Sequence, residues 1–419
     1  MVRSVLIILL VTFLTAFFWS CKTAIKEDDQ LLDNLMQRDA SQFKRILDNK
    51  DSFEVQIIYT QINRDTNNYP HFSSFYYNVD STNYFYPAST VKLPLVLLSL
   101  EKLRELNING LDKYTPMFHD SVYSGQLTST NDSTSENGLA SVSHYAKKIM
   151  IVSDNDAFNR LYEFVGQEQT NKKLIDKGYG MRILHRLERP LSPDQNRHTE
   201  AVRFIRNDSL IFSQPMLVNR DSIQAPSSVL KGTGYMKSDS LVEKPFDFTY
   251  KNFYSLTDQQ KLLRSLLFPE TVEPSLRFDL SEEDRQFVLK YMSQLPTETL
   301  FPAYKKDTAY YDAYCKFLMF GDNKTEIPSG IRIFNKVGDA YGYLIDNAYI
   351  VDFEKGVEFM LSAVINTNTD GIYNDNRYEY KTLGYPFMKN LGQLIYNYEL
   401  KRKRAVPPDL SDFVFEYDH

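Results

Sequence analysis

The sequence contains only two cysteines, Cys21 and Cys315, among its 419 residues. If Cys21 is modified, Cys315 has no partner, and the folded domain is predicted to lack an internal disulfide. Positive charge is not in excess: the formal net charge is −6, so no basic surface indicates nucleic-acid binding. The six histidines lack the spacing of metal ligands, and the chain has no glycine-rich phosphate loop. We therefore predict no metal, no nucleotide cofactor and no nucleic-acid partner.

The N-terminal segment has the features of an export signal. Arg3 supplies a short positive region, and residues 4–18 form an apolar run that is too short for a membrane span. The run ends in FWSC, residues 18–21, which resembles a bacterial lipoprotein signal in which the peptide is cut before a cysteine that becomes lipidated. An uncleaved anchor or a plain secretory peptide remains the alternative.

Under the lipoprotein interpretation, residues 1–20 are the signal peptide, Cys21 is the lipidation site, and residues 21–30 form a polar tether. The protein is then expected in the bacterial cell envelope. A lipid anchor would hold it on the membrane, with the domain in the periplasm or on the outer surface.

An apolar stretch begins at residue 93 and predicts a helix that is buried on nearly every side. Ser89 and Lys92 lie at its start, three residues apart, and therefore share one helical face. A buried lysine has a lowered pKa and can act as a base, and a neighbouring hydroxyl can then act as a nucleophile. In the alternative interpretation, Ser89 caps the helix and Lys92 extends outward to solvent.

Strands are predicted near both ends of the chain, separated by a long, mostly helical middle. For one antiparallel sheet to form, the two ends must meet beside that middle. We therefore predict an α+β fold: a five-stranded antiparallel sheet flanked by helices, with an all-helical lobe, in a three-layer sandwich. The predicted elements are a helix at 31–47, strands at 53–60 and 72–79, strands at 331–338, 343–352 and 357–365, and a helix at 378–398.

The composition is that of an ordinary soluble domain, with 42 % hydrophobic and 24 % charged residues. One folded domain is predicted over residues 31–405, followed by a tail at 406–419. Periodicity is weak between residues 186 and 256, and long irregular stretches within a compact domain are often functional. Residues 192–252 look like an insertion. We expect a monomer.

Three short motifs occur in order along the chain. Each has a structural explanation when it is taken alone: Ser153 or Asp154 suits a helix N-cap, and a lysine two residues before a glycine suits the end of a strand. Together, and on the expected elements, they indicate a catalytic site. The motifs are Ser89-x-x-Lys92, Ser153-Asp154-Asn155 and Lys336-Val337-Gly338.

This ordered set resembles the penicillin-recognising serine hydrolases, specifically the class A β-lactamase family, over roughly residues 30–400. The family has a five-stranded sheet beside a helical lobe. The resemblance implies that Ser89 is the acylated nucleophile, that Lys92 takes its proton, and that Ser153 passes a proton to the leaving nitrogen.

The same resemblance implies a set of substrate-binding residues. Asn155 would bind a substrate amide, and Lys336 would supply positive potential that attracts an anionic substrate and keeps Lys92 neutral. Gly338 would line the substrate site. The backbone N–H groups of Ser89 and Asp339 would form the oxyanion hole.

The chain departs from the family pattern at three places. Val337 replaces the threonine or serine whose hydroxyl would hold a substrate carboxylate, and Asp339 adds a carboxylate beside the cleft. Residues 186–189 look like the opening of the family's Ω loop, in which Glu188 is interpreted as the structural acid. The glutamate that activates the deacylating water then has no match, because Leu191 occupies its expected place.

The sequence thus predicts a serine hydrolase that cleaves an amide or β-lactam bond through a Ser89 acyl-enzyme. Its substrate would be a small molecule or a peptidoglycan-derived amide. Two alternatives remain: a peptidoglycan peptidase or esterase, and a catalytically weak surface lipoprotein that uses the fold for binding.

Overall fold

The computed structural model describes residues 30–221 and 228–418. The predicted signal peptide and the predicted lipidation site, Cys21, lie outside the described residues. Among the residues that are described, no helix has the length and apolar character needed to cross a membrane.

Helices and strands alternate as the sequence predicts at the two ends of the domain, with shifts of a few residues. The helices are α1 (Gln30–Arg38), α2 (Ala40–Asp48), α3 (Lys92–Leu106), α4 (Val142–Val152), α5 (Asn155–Val165), α6 (Gln167–Asp176), α7 (Pro193–Arg197), α8 (Leu256–Leu267), α9 (Glu282–Ser293), the short turn α10 (Phe317–Phe320) and α11 (Tyr385–Lys401). The strands are β1 (Gln56–Arg64), β2 (Pro70–Tyr77), β3 (Met117–Asp120), β4 (Ala201–Arg206), β5 (Ser209–Gln214), β6 (Leu230–Lys231), β7 (Gly234–Lys237), β8 (Ser240–Val242), β9 (Phe246–Asp247), β10 (Ile331–Ala340), β11 (Tyr343–Asp352), β12 (Val357–Asn366) and β13 (Ile372–Tyr373).

The main sheet joins the two ends of the chain. Its five strands have the order β10-β11-β12-β1-β2, and all neighbours are antiparallel. The junction is the pairing of β1 with β12, in which Tyr59 lies opposite Leu361. The predicted five-stranded antiparallel sheet is therefore confirmed, and β10 forms one of its edges.

Helices cover both faces of this sheet and give the predicted three layers. On one face, α1, α2 and α11 pack against apolar side chains such as Ile57 and Leu361. On the other face, α3, α4, α5, α8 and α9 form the larger core, together with Phe334 and Tyr349 from the sheet. Helix α3 is buried along most of its length, because leucine or valine lies on every side of it.

Two predicted helices have different limits in the structure. The first is two helices, because the chain breaks at Asp39, whose φ of −114° and ψ of 50° are not helical. The last begins at Tyr385 and is preceded by a wider turn over Tyr380–Gly384.

The predicted insertion contains short strands as well as irregular chain. Strand β4 pairs with β3 on one side and with β5 on the other, and β7 pairs with β8. In addition, β7 runs parallel to β13, so that Gly234 lies opposite Ile372. This pairing holds the insertion beside the segment that follows the main sheet.

The segment after α11 packs against the domain rather than extending from it. Leu410 and Phe413 are buried, and the Phe413 ring lies 4.8 Å from that of Tyr349 and 5.5 Å from that of Phe334. Described residues of the predicted tail therefore contribute to the main core.

Candidate active site

Ser89 lies on a tight 3-10 turn, Ala88–Val91, that leads directly into α3. Ala88 has a φ of 48°, a left-handed conformation that a residue with a side chain rarely adopts. The turn is closed by Thr90, whose backbone N–H and hydroxyl both donate to the Pro87 carbonyl, at 3.1 and 2.7 Å. Neither this turn nor α3 has a side-chain cap, so the interpretation of Ser89 as a capping residue is wrong.

Strand β10 lies directly against the Ser89 turn. A Cβ atom on Gly338 would be 2.8 Å from the Pro87 oxygen, which is closer than real Cβ atoms approach, and 3.0 Å from the Ser89 nitrogen, which is a tight contact. Only glycine fits this position without displacing the turn. The sequence Lys336-Val337-Gly338 therefore brings the backbone that precedes Asp339 next to the backbone of Ser89.

Lys92 is completely buried, with no exposed surface. Its Nζ donates to the Ser153 carbonyl, to Asn155 Oδ1 at 2.6 Å and to Ser153 Oγ at 3.2 Å. Desolvation, reinforced by the nearby charge of Lys336, holds the pKa of Lys92 well below its ordinary value. The alternative in which Lys92 extends to solvent is therefore wrong.

Ser153 connects α4 to α5 in a left-handed conformation, with φ 61°. Because Asp154 caps α5 by accepting from the Ala157 N–H at 2.8 Å, the turn has a fixed geometry. Asn155 is the first residue of α5. This tripeptide therefore caps α5 through Asp154 and also contributes Ser153 and Asn155 to the site.

Lys336 approaches the same hydroxyl from the sheet. Its buried Nζ donates to Ser153 Oγ at 2.8 Å and to the Val337 carbonyl at 2.9 Å. Desolvation lowers the pKa of Lys336 to about 8. Lys92 and Lys336 therefore converge on Ser153, although these three residues are far apart in the sequence.

A cleft with a volume of about 680 Å³ lies over these residues. Ser89, Asn155 and Asp339 all line it. Among the described residues, no hydrogen bond joins Ser89 to Lys92 or Ser153; such contacts often tighten only when substrate is bound.

Asp339 lies in the wall of the cleft and has exposed surface. Desolvation by the surrounding protein raises the pKa of its carboxyl group to about 6, and the charges of Lys92 and Lys336 act in the opposite direction. The predicted carboxylate beside the cleft is therefore present, and it faces the substrate space.

Glu188 also lines the cleft, and its interpretation as a structural acid is wrong. The structural pairing is made instead by Arg186, which is buried and binds Glu163 through two hydrogen bonds of 2.5 and 2.6 Å. Asn159 fixes the residue between Arg186 and Glu188. Its amide group donates to the Leu187 carbonyl and accepts from the Leu187 N–H, both at 2.9 Å. Glu188 is thereby presented to the cleft with a φ of 52°.

The sequence contains only a weak signal for this assignment. Glu188 stands between Arg186 and Arg189, in a segment that resembles the opening of the family's Ω loop. In the described part of the chain, neither arginine forms an ion pair with Glu188: Arg186 binds Glu163, and Arg189 lies 3.5 Å from Glu200. Leu191, at the position where the activating glutamate was expected, lines a neighbouring cavity and not the cleft of Ser89.

Comparison with solved structures finds chains that resemble this one at low sequence identity. A PBP-A mutant, described as an acyl-enzyme complex with penicillin G, is 14% identical, with 88% of this chain and 96% of that chain covered and a TM-score of 0.46. A β-lactamase from Xanthomonas campestris pv. campestris is 14% identical, with 87% and 98% covered and a TM-score of 0.45. A β-lactamase from Sphaerobacter thermophilus is 13% identical, with 87% and 99% covered and a TM-score of 0.45.

No curated protein sequence matches the chain. The family described as "Beta-lactamase enzyme family" matches residues 39–398, which include the Ser89 turn, the Ser153 turn and strand β10. The match covers most of the sequence, and the chain therefore belongs to the beta-lactamase enzyme family.

Proposed function

We propose that this protein is a serine hydrolase of the class A type that cleaves a β-lactam or a related amide through an acyl-enzyme on Ser89. The observation that carries the proposal is the environment of Lys92. This lysine is fully buried, has a strongly lowered pKa, and contacts Ser153 beneath a cleft that Ser89 lines. A neutral lysine three residues from a serine is a suitable base for activating that serine.

In the acylation step, neutral Lys92 accepts the Ser89 proton while Ser89 Oγ forms a bond to the substrate carbonyl carbon. The carbon–nitrogen bond then breaks, and the leaving nitrogen takes a proton from Ser153, which is replenished from Lys92. The backbone N–H groups of Ser89 and Asp339 stabilise the oxyanion, each donor contributing about 3 kcal/mol. Lys336 favours this step by positive potential.

In the deacylation step, Glu188 accepts a proton from a water molecule that attacks the acyl carbon, and the ester bond to Ser89 breaks. The support for this role is its position: Glu188 lines the same cleft as Ser89. Among the described residues, it has no hydrogen bond or ion pair that would give it a structural role. A base at this position favours turnover over a long-lived adduct.

The test is intact-protein mass after incubation with benzylpenicillin, together with turnover of a chromogenic cephalosporin. We expect a transient mass increase on the wild-type protein, none on Ser89→Ala, and hydrolysis of the cephalosporin. Neither adduct nor turnover, in protein shown to be folded by its thermal transition, would contradict the proposal and favour the binding-only alternative. A stable adduct without turnover would favour a peptidoglycan peptidase.

We further propose that the protein acts as a monomer in the cell envelope, attached through a lipid on Cys21. Incorporation of a labelled fatty acid by the wild-type chain but not by Cys21→Ala is the expected result. Equal labelling of both chains would exclude this anchor.

A further inference from the structure

The insertion that separates the second and third motifs contributes one wall of the cleft. After its last strand, β9, the chain passes Lys251, which lines the cleft together with Ser89 and Asn155. Lys251 is half-buried, and its Nζ lies 5.9 Å from the ring centres of both Phe246 and Tyr341. The insertion thus places a cation in the lining of the cleft.

The other cations that line the cleft are committed to protein partners. Arg186 is bound to Glu163, and Arg189 donates to the Gly125 carbonyl at 2.5 Å and faces Glu200. Lys251 differs from both, because within residues 30–221 and 228–418 its Nζ has neither a hydrogen bond nor an ion pair. Removal from water lowers the pKa of its ammonium group. A bound anion would therefore offset the free-energy cost of desolvating this charge.

Along its described length, strand β10 presents no exposed cation to the cleft, because Lys336 is buried and its Nζ donates to Ser153 Oγ and to the Val337 carbonyl. Its charge contributes potential in the cleft and not a direct contact for a substrate anion. Val337 has an apolar side chain, is buried, and packs in the core on the α11 face of the sheet. The next exposed side chain, Asp339, carries a carboxylate that repels an anion at neutral pH. A negatively charged substrate group is therefore favoured on the Lys251 side of the cleft.

A second cavity extends the cleft at the same point. It has a volume of about 460 Å³ and shares Lys251 and His185 with the cleft. Leu191, Pro193 and Tyr250 add apolar surface to its wall. A substrate whose anionic group lies at Lys251 would thus have room beyond it for an apolar substituent.

We propose that Lys251 is a specificity-determining residue that binds the carboxylate of an anionic amide substrate. This inference rests on the proposed function, because it concerns the same cleft. Recognition of the substrate carboxylate then belongs to the insertion and not to strand β10, where Val337 is apolar and Asp339 is negatively charged.

The test measures non-covalent binding to Ser89→Ala protein, by calorimetry, so that it does not depend on acylation. The probes are benzylpenicillin, which carries a carboxylate, and its neutral methyl ester. Lys251→Met should weaken binding of benzylpenicillin about 10- to 100-fold and change binding of the ester by no more than about twofold. Lys251→Arg should restore most of the difference.

Lys244→Met is the matched control, because Lys244 is an exposed lysine of the same insertion that does not line the cleft. Equal weakening of both probes, no weakening of either, or the same effect from Lys244→Met would overturn the proposal. A wild-type protein that never forms an adduct would instead contradict the proposed function, while the two probes would still decide the role of Lys251.

Discussion

Lys336 donates a 2.8 Å hydrogen bond to Ser153 Oγ, an oxygen that Lys92 also reaches at 3.2 Å. Two buried amines that share one acceptor repel each other when both are protonated. The repulsion falls mainly on Lys92, whose pKa lies well below its ordinary value, while that of Lys336 is about 8. The pair therefore favours a proton on Lys336 over a proton on Lys92.

The first prediction concerns Lys92 as the base in acylation. Lys92→Met should reduce the rate of acylation by benzylpenicillin by several orders of magnitude, because the amine proposed to accept the Ser89 proton is removed. Stability should change by no more than about 1–2 kcal/mol, because the lost hydrogen bonds to Ser153 and Asn155 are offset by removal of a desolvated amine. Stopped-flow acylation and chemical denaturation measure the two effects.

The matched control is Lys102→Met on the same helix. Lys102 is also a desolvated lysine, with a pKa of about 8, but its Nζ is bound to the Phe164 carbonyl and to Gln214. This variant should acylate at nearly the wild-type rate. Loss of acylation in both variants would indicate that helix α3 had been disturbed, and an unchanged rate in Lys92→Met would show that Lys92 is not the base.

The second prediction is a pH dependence that follows from Lys336. Because its pKa is about 8, the ammonium loses its proton as the pH rises through 8. Acylation by an anionic probe should therefore fall above this pH, since the positive potential in the cleft is lost. Lys336→Arg keeps its charge in this range and should retain acylation at higher pH. Acylation that stays constant through pH 8 would contradict this account.

The fall in acylation rate above pH 8 is distinguishable from unfolding, because stability is expected to change with pH in the opposite direction. The pKa of Lys336 is lower in the folded protein, about 8, than the ordinary value of 10.5. The unfolded chain then binds more protons between these two pH values, so the contribution of this lysine to stability increases as the pH rises. Denaturation midpoints recorded alongside the rates should show no loss of stability attributable to Lys336.

The third prediction separates Glu188 from Glu163. Glu188→Gln should slow deacylation by about 10²- to 10⁴-fold, because a general base is lost, while acylation and stability stay close to wild type. The acyl-enzyme should then accumulate in intact-mass spectra. A deacylation rate unaffected by this substitution would assign the water-activating role elsewhere.

Glu163→Gln is the matched control, and its main effect should be on stability and not on deacylation. It leaves the buried Arg186 guanidinium without its charged partner and should destabilise the protein by about 3–5 kcal/mol. Any slower turnover in this variant should follow from the displaced loop that carries Glu188. Equal stability losses in the two variants would contradict the assignment of separate roles.

Much of this arrangement is predictable from local sequence patterns. The alternation of apolar residues defines the strands at both ends, and the requirement that they share a sheet brings Lys336 near Ser89. The apolar sequence around Lys92 predicts its burial, because the turns that follow it are apolar on nearly every side. These features depend on neighbours in the sequence or on the closure of one sheet.

The parts that could not be predicted depend on pairings between distant side chains. Arg186 and Glu163 are 23 positions apart, and nothing in the sequence distinguishes this pairing from one with Glu188. The position of Lys251 depends on the insertion, in which strand β7 pairs with β8 and with the distant β13 only in the folded protein. Because the apolar periodicity of such a segment is weak, neither its strands nor the residues that face the cleft can be predicted from the sequence.

The fourth prediction concerns the contact between β10 and the Ser89 turn. Gly338→Ala places a Cβ atom 2.8 Å from the Pro87 oxygen and 3.0 Å from the Ser89 nitrogen, so the strand or the turn must move. Overpacking of this kind costs about 1–3 kcal/mol, and it should also reduce acylation by displacing the oxyanion-hole donors. The control is Gly138→Ala, at a glycine with no neighbouring atom within 4 Å. Its positive φ makes it a measure of backbone strain alone, and it should lose stability without a matching loss of acylation. If Gly338→Ala acylated at the wild-type rate, the close approach of this strand to Ser89 would not be required for the chemistry.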